Sequence, residues 1–193
     1  AYGLTEPDVG ADLASVSTSA RIDGDQVIVS GAKRFCTGAN IADYIYTLVR
    51  SDPDAPRYRN LSLVLVPTNA PGVSIQVTDS IGMKGAPTTD TYLDNVAVPV
   101  GNIVGGLDGW NNGWKMLAGS VLNVEKLEVA AMALGIAEAA VADAWAYAQE
   151  RVQFGKPVSG FQAVRHRLAD MRTGHRRVLA RPRAAHDLGS RGL

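Results

Sequence analysis

Four short segments carry residue types that can do chemistry: Leu4-Thr5-Glu6-Pro7-Asp8-Val9-Gly10-Ala11-Asp12, Lys33-Arg34-Phe35-Cys36-Thr37-Gly38-Ala39, Glu125-Lys126 and Glu150-Arg151-Val152-Gln153-Phe154-Gly155-Lys156-Pro157. A threonine hydroxyl both donates and accepts hydrogen bonds. A guanidinium suits paired contacts with phosphate oxygens. A carboxylate such as Glu125 can take a proton where partial burial lifts its pKa. Each segment also has a plain reading. Thr5-Glu6-Pro7 makes a turn, Phe35 and Thr37 end a strand, Glu125 complements a helix dipole in its first turn, and Arg151 favours a helix C-terminus. Cys36 is the single cysteine, which excludes an internal disulfide and a multi-cysteine metal site. It reads as a small packed residue rather than a nucleophile. His166, His175 and His186 follow no ligand spacing, so no metal site is expected.

The elements that must position these segments change character part-way along the chain. Up to about residue 100 the pattern is β. Ser15–Ile22 and Gln26–Ser30 flank Asp23-Gly24, a strong hairpin signal because that turn needs residues tolerant of positive φ. Tyr44–Arg50, Leu61–Val66, Val73–Thr78 and Thr91–Val98 are further strand candidates, punctuated by prolines and glycines. No helix-length segment lies between them, which predicts a sandwich or barrel rather than a parallel α/β sheet. The Gly/Asn-rich stretch 101–113 reads as a domain boundary, giving domains 1–105 and 106–193.

From Trp114 the chain reads as helix. Asn123 can cap a long Ala-rich helix over Val124–Val152, with an apolar stripe at Leu127, Leu134, Val141, Trp145, Ala148 and Val152. Gly155 and Pro157 end it, and a second helix runs from about Gly160 through Met171. The Arg-rich stretch 172–183 contains Gly174 and Pro182. Since an interior proline costs about 3 kcal/mol, either the second helix stops near Thr173 or this stretch does not match its surroundings.

The 193 residues carry 19 basic and 19 acidic side chains, a net charge of zero. That argues against a broad basic surface for nucleic acid or an anionic membrane. With 46% apolar and 20% charged residues, the composition is that of a folded globular chain. No run of 18 uncharged apolar residues is present, so no membrane span is expected. The chain opens at Ala1 directly into a motif-like segment, with no initiator Met or signal layout, and reads as a piece of something longer.

Order and spacing make the segments jointly informative. Leu4-Thr5-Glu6-Pro7-x-x-Gly10-x-Asp12, Gly82-Met83-Lys84-Gly85, Asp94-Asn95-Val96-Ala97-Val98-Pro99, Arg151-x-x-Phe154-Gly155-Lys156-Pro157, Phe161-Gln162-Ala163 and Leu168-Ala169-Asp170-Met171 together resemble the acyl-CoA dehydrogenase family. The resemblance covers residues 1 to about 171. It implies an α+β architecture: an antiparallel β-barrel or sandwich middle domain followed by part of an up-down helical bundle. It also implies FAD as cofactor and desaturation of an acyl-CoA thioester between Cα and Cβ, with a carboxylate removing the α-proton and the β-hydrogen leaving as hydride to the flavin. The implied partners are acyl-CoA, an electron-transfer flavoprotein and further copies of the chain as a homo-oligomer, dimer or tetramer. The implied location is the cytoplasm of a bacterium or a mitochondrial matrix.

Residue roles carry over by position. Leu4 and Thr5 match residues that meet the flavin ring through backbone and hydroxyl, and Thr37 matches one that hydrogen-bonds it near the reducible nitrogen. Phe35 stands where many relatives have Trp. Arg151 matches the arginine that reaches the FAD pyrophosphate of a neighbouring subunit, with Phe154 and Gln162 beside the same cofactor. Most relatives carry the catalytic Glu on a late helix. The isovaleryl-CoA and long-chain subgroup carries it earlier, in Leu-x-x-Glu-Arg, which Leu122-Asn123-Val124-Glu125-Lys126 matches with Lys for Arg, so Glu125 is the candidate base. Ala11, Asn123 and Lys126 match substrate-side positions. Ala11 replaces a Ser, and Lys126 keeps the charge without the planar fork. Rival readings are an acyl-CoA oxidase or flavin monooxygenase of the same fold, and a non-catalytic truncated protein.

Overall fold

The computed structural model describes residues 1–118 and 122–189, with side chains placed for 1–118 and 126–179. It divides into two compact units, Ala1–Val121 and Leu122–Leu193.

In the first unit the hairpin signal is answered by strands β2 (Ser19–Asp23) and β3 (Gln26–Lys33), paired antiparallel with Asp23 opposite Gln26. The turn residues are therefore Gly24 and Asp25, and only Gly24 has positive φ (+63°), which is the demand of a turn with glycine first. The other strands are β1 (Tyr2–Gly3), β4 (Tyr44–Arg50), β5 (Leu61–Pro67), β6 (Val73–Val77) and β7 (Thr89–Pro99). They form one curled sheet in the order β1-β4-β2-β3-β7-β6, with β5 on β4. Pairing is antiparallel except where β1 and a single bridge of β2 meet β4 in parallel. The reading of Ser15–Ile22 as one strand is corrected: Leu13–Ser15 is a 3-10 turn, and the strand starts at Ser19.

Side-chain phase explains the core. On β3, Val27, Val29 and Lys33 are buried at a spacing of two. On β7, Thr89, Thr91 and Leu93 face inward, then Val96 and Val98 do. The phase slips because β7 carries one extra residue opposite Val29/Gly31, where Asn95 takes φ +49°. The core is Ala20, Val27, Val29, Val49, Val64, Val66, Leu93, Val96, Val98 and Ile103.

β5 does not alternate: Leu61 to Val64 are all buried. Its second face is covered by the stretch read as a linker. Val104 N–H donates to the Leu63 carbonyl at 2.9 Å, and Asn111 N–H donates to Ser62 Oγ at 2.8 Å. Gly113 sits so close that a Cβ there would lie 2.7 Å from the Ser62 carbonyl carbon. With Ile103 in the core as well, residues 101–113 and the short helix α1 (Gly113–Met116) pack with the first unit.

The second unit contains α2 (Leu122–Glu150), a hairpin of β8 (Val152–Gln153) and β9 (Lys156–Pro157), and α3 (Gln162–Gly189). Asn123 lies inside α2 rather than at its cap, because the helix is already formed at Leu122. Of the expected stripe, Val141 and Ala148 are buried, while Leu127 is 73% exposed. Val152 belongs to the hairpin, not the helix. Of the two readings of 172–183, the stop near Thr173 is not what is observed: α3 runs on through Gly174 and Pro182. Leu168 and His175 on α3 are buried, and Met171, Gly174, His175 and Val178 line a groove of about 560 Å³ with Ala130, Ala133, Ala137 and Ala140 of α2.

Candidate functional site

In the first unit the structure brings Thr5 next to the segment after β3. Arg34 N–H donates to the Thr5 carbonyl at 2.8 Å. Past it the backbone turns sharply: Phe35 takes φ +58°, Thr37 N–H donates back to the Phe35 carbonyl at 3.0 Å, and Gly38 N–H donates to the Pro87 carbonyl. Bulky residues rarely adopt that φ, so the local fold is held from outside. Cys36 does the holding. It is fully buried, its N–H donates to the Thr89 carbonyl, and its carbonyl accepts from Thr89 Oγ1 at 2.7 Å. Burial raises the Cys36 thiol, ahead of the opposing effects of Thr91 and Lys33, so it stays protonated and packs as expected.

The result is that Phe35 and Thr37 point outward on either side of a buried cysteine. Phe35 is 57% exposed, with the Arg34 guanidinium 5.2 Å from its ring centroid. Leu4 and Thr5 are half-buried beside this turn. Thr5 N–H has no acceptor among the described residues. Ala11 is exposed on the loop that follows, where Asp12 pairs with Arg57 and accepts from Ser15 Oγ at 2.7 Å.

Underneath lies an ion pair that sequence reasoning missed. Lys33 Nζ meets Glu6 Oε1 at 2.9 Å, with 0% and 3% side-chain exposure. Glu6 also accepts from Ser17 N–H (2.7 Å), Ser17 Oγ (2.6 Å) and Thr18 N–H (2.8 Å). Lys33 also donates to the Leu4 carbonyl at 3.2 Å. Burial acts to raise the Glu6 carboxyl, but the Lys33 charge and the Ser17 and Thr18 donors outweigh it and hold it down at about 2. Burial pushes the Lys33 ammonium down, with Glu6 opposing. The available signal was one carboxylate and one ammonium in the first two of the four chemistry-bearing segments, with Lys33 on the inward phase of β3.

In the second unit, Arg151 directly follows α2 and is exposed. Phe154 and Gly155 form the hairpin tip with φ +51° and +74°, a turn in which both central residues are left-handed. Phe154 is 92% exposed, and its ring meets Phe161 edge-on at 5.9 Å. Lys156 Nζ stands 4.5 Å from the Phe161 centroid. Val158 N–H donates to the Arg151 carbonyl and Phe161 N–H to the Val158 carbonyl, so Arg151, Phe154 and Gln162 are gathered around one hairpin. Gln162 is the exposed first residue of α3. Lys126 is exposed on α2. Glu125 and Asn123 lie within α2 by backbone, and their side chains fall outside those described.

Comparison with known proteins decides the family. The acyl-CoA dehydrogenase middle domain matches residues 1–96 and the acyl-CoA dehydrogenase C-terminal domain matches residues 111–185. The chain belongs to the acyl-CoA dehydrogenase family. It is 41% identical over 174 residues to a 3-(aryl)acrylate reductase of Clostridium sporogenes, covering 90% of this chain and 45% of that protein. It is 38% identical over 197 residues to an acyl-CoA dehydrogenase of Bacillus subtilis, covering 100% and 50%. A crystal structure of a probable acyl-CoA dehydrogenase from Mycobacterium abscessus superposes with a TM-score of 0.89 at 33% identity, covering 100% of this chain and 50% of that one. The chain thus spans about half the length of the curated relatives it matches.

Acyl-CoA dehydrogenases being a family of typical flavoproteins, the outward strip of the first unit can be tested against a flavin. The strip fits: it offers the exposed Phe35 ring and Thr37, with the half-buried Thr5 tied to the same turn through the Arg34 N–H and its own N–H without an acceptor among the described residues. The C-terminal-domain match also bears on Lys126–Glu150. That helix is long and apolar enough to cross a membrane by length and composition alone, with a mean hydropathy of 1.5. As a helix of the family's C-terminal domain, α2 has a use for apolar surface that needs no bilayer.

Proposed function

We propose that the protein containing this chain oxidises an acyl-CoA thioester between Cα and Cβ with FAD as electron acceptor. The carrying observation is the pair of acyl-CoA dehydrogenase domain matches, in order along one chain, together with the hydrogen-bonded strip at Thr5, Phe35 and Thr37. FAD, when bound, supplies a two-electron sink for the hydride. Leu4, Thr5 and Thr37 hold the ring by backbone and hydroxyl groups, and Phe35 packs on it. Arg151 places its guanidinium on the pyrophosphate, with Phe154 and Gln162 beside it, and does so for a neighbouring subunit. That arrangement makes a homo-oligomer part of the proposal. Glu125 takes the α-proton, while Asn123, Lys126 and Ala11 border the thioester. The reduced protein passes its electrons to an electron-transfer flavoprotein in the cytoplasm or mitochondrial matrix.

Anaerobic addition of saturated acyl-CoAs of graded length to the full-length holoprotein tests this. Bleaching of the flavin absorbance with release of a product two hydrogens lighter is expected. Holoprotein that no acyl-CoA bleaches overturns it, and Glu125→Gln that keeps full bleaching moves the base elsewhere. A second reading, the reverse reaction that adds two hydrogens across a conjugated double bond, is favoured by the name of the Clostridium sporogenes relative. Pre-reduced holoprotein reoxidised faster by an arylacrylyl substrate than bleached by its saturated counterpart selects that reading. Rapid reoxidation by oxygen alone selects an oxidase.

A further inference from the structure

The buried Glu6–Lys33 pair lies directly behind the strip assigned to the flavin, and nothing in the proposed chemistry uses it. Two unpaired charges at 0% and 3% exposure are strongly disfavoured, and a buried ion pair is often no more stable than apolar residues of the same volume. Stability alone therefore gives a weak reason for this pair. Its geometry gives a better one. Glu6 is fully engaged by Lys33, Ser17 and Thr18, which fixes the ammonium in place. The ammonium then has one further acceptor, the Leu4 carbonyl at 3.2 Å. The peptide unit polarised there is the one whose N–H belongs to Thr5, and that N–H has no acceptor among the described residues. A charge-assisted hydrogen bond onto a carbonyl makes the N–H of the same peptide a stronger donor.

We propose that Lys33, clamped by Glu6, is a positioning and polarising residue for the flavin: it aims the Leu4–Thr5 peptide outward and strengthens the Thr5 N–H as a donor to the ring. The inference rests on the flavin reading above. A stronger donor at the ring favours the form carrying more negative charge, which is the reduced flavin. Lys33 touches neither ring nor substrate and works through the backbone.

The test uses full-length holoprotein, with FAD content, the reduction potential of the bound flavin and thermal unfolding read on the same samples. Glu6→Gln/Lys33→Met removes both charges together, leaving no unpaired ion in the interior. It is expected to fold and bind FAD, but to lose about tenfold in preference for reduced over oxidised flavin, which for a two-electron couple is a shift of about 30 mV to more negative potential. Glu6→Gln alone keeps the amine donor at the Leu4 carbonyl and is expected to hold that preference within about twofold. A folded double variant with the wild-type potential overturns the proposal, and so does a folded Glu6→Gln variant that loses as much as the double one. If the double variant does not fold, a folded Glu6→Gln variant that loses about tenfold in that preference overturns the proposal, and one that holds it within about twofold supports it. Wild-type protein that binds no FAD at all overturns the flavin reading instead.

Discussion

The two units solve burial in opposite ways. The β unit closes on itself: Val27, Val29, Ile45, Leu48, Leu61 and Leu63 have no exposed surface, and its buried Glu6 and Lys33 are paired with each other. The helical unit leaves Leu127, Val129, Met132 and Ile136 at 73%, 63%, 51% and 70% exposure on one helix. A sheet curled over itself and capped by residues 101–116 completes a core with its own residues. A pair of helices contacts along one seam and leaves most of each cylinder uncovered.

That contrast can be broken by substitution. The largest effect is expected from Lys33→Met, which strands Glu6 as an unpaired buried carboxylate and costs the β unit about 3–5 kcal/mol by denaturant unfolding. The same group sets an acid limit. Its folded pKa of about 2 lies below the ordinary 4.5, so its stabilisation is complete above pH 4.5 and drains away as pH falls towards 2. Leu63→Ala, in the doubly covered strand β5, is expected to cost about 2–5 kcal/mol. Gly72→Ala is expected to cost more than about 1 kcal/mol, since φ is +88° and the new Cβ would lie 2.3 Å from the Asp94 carbonyl oxygen. Ile136→Ala on α2 is expected to change stability by no more than about 0.5 kcal/mol in the 193-residue chain. An Ile136→Ala cost matching that of Leu63→Ala, read by the same denaturant titration, erases the contrast.

Legibility followed the same division. Strand β4 was readable to the residue, Tyr44–Arg50, because β-branched and aromatic side chains alternate between loop signals. The slip in β7 was not, since a bulge at Asn95 adds one residue without any compositional mark. The linker-like 101–113 hid its packing role because its contacts are made by backbone N–H groups and a missing side chain at Gly113. On α2 the apolar spacing predicted a single buried stripe, but only residues facing α3 are covered, among them Val141 and Ala148. Among site residues, Thr5, Phe35 and Thr37 stand inside motifs the sequence singles out, and the structure brings them to one turn. Glu6 and Lys33 were passed over inside those same motifs, because a charged side chain reads as solvated until its partner is seen.

FAD titration of a full-length protein carrying this chain, followed by ring absorbance, tests the assignment of the strip at Thr5, Phe35 and Thr37 most directly. The account predicts one FAD per chain, and about tenfold weaker binding when Thr37→Ala removes a hydroxyl donor, roughly 1.4 kcal/mol. A folded full-length protein that takes up no FAD, or a Thr5→Ala/Thr37→Ala variant that binds it as tightly as the parent, contradicts it.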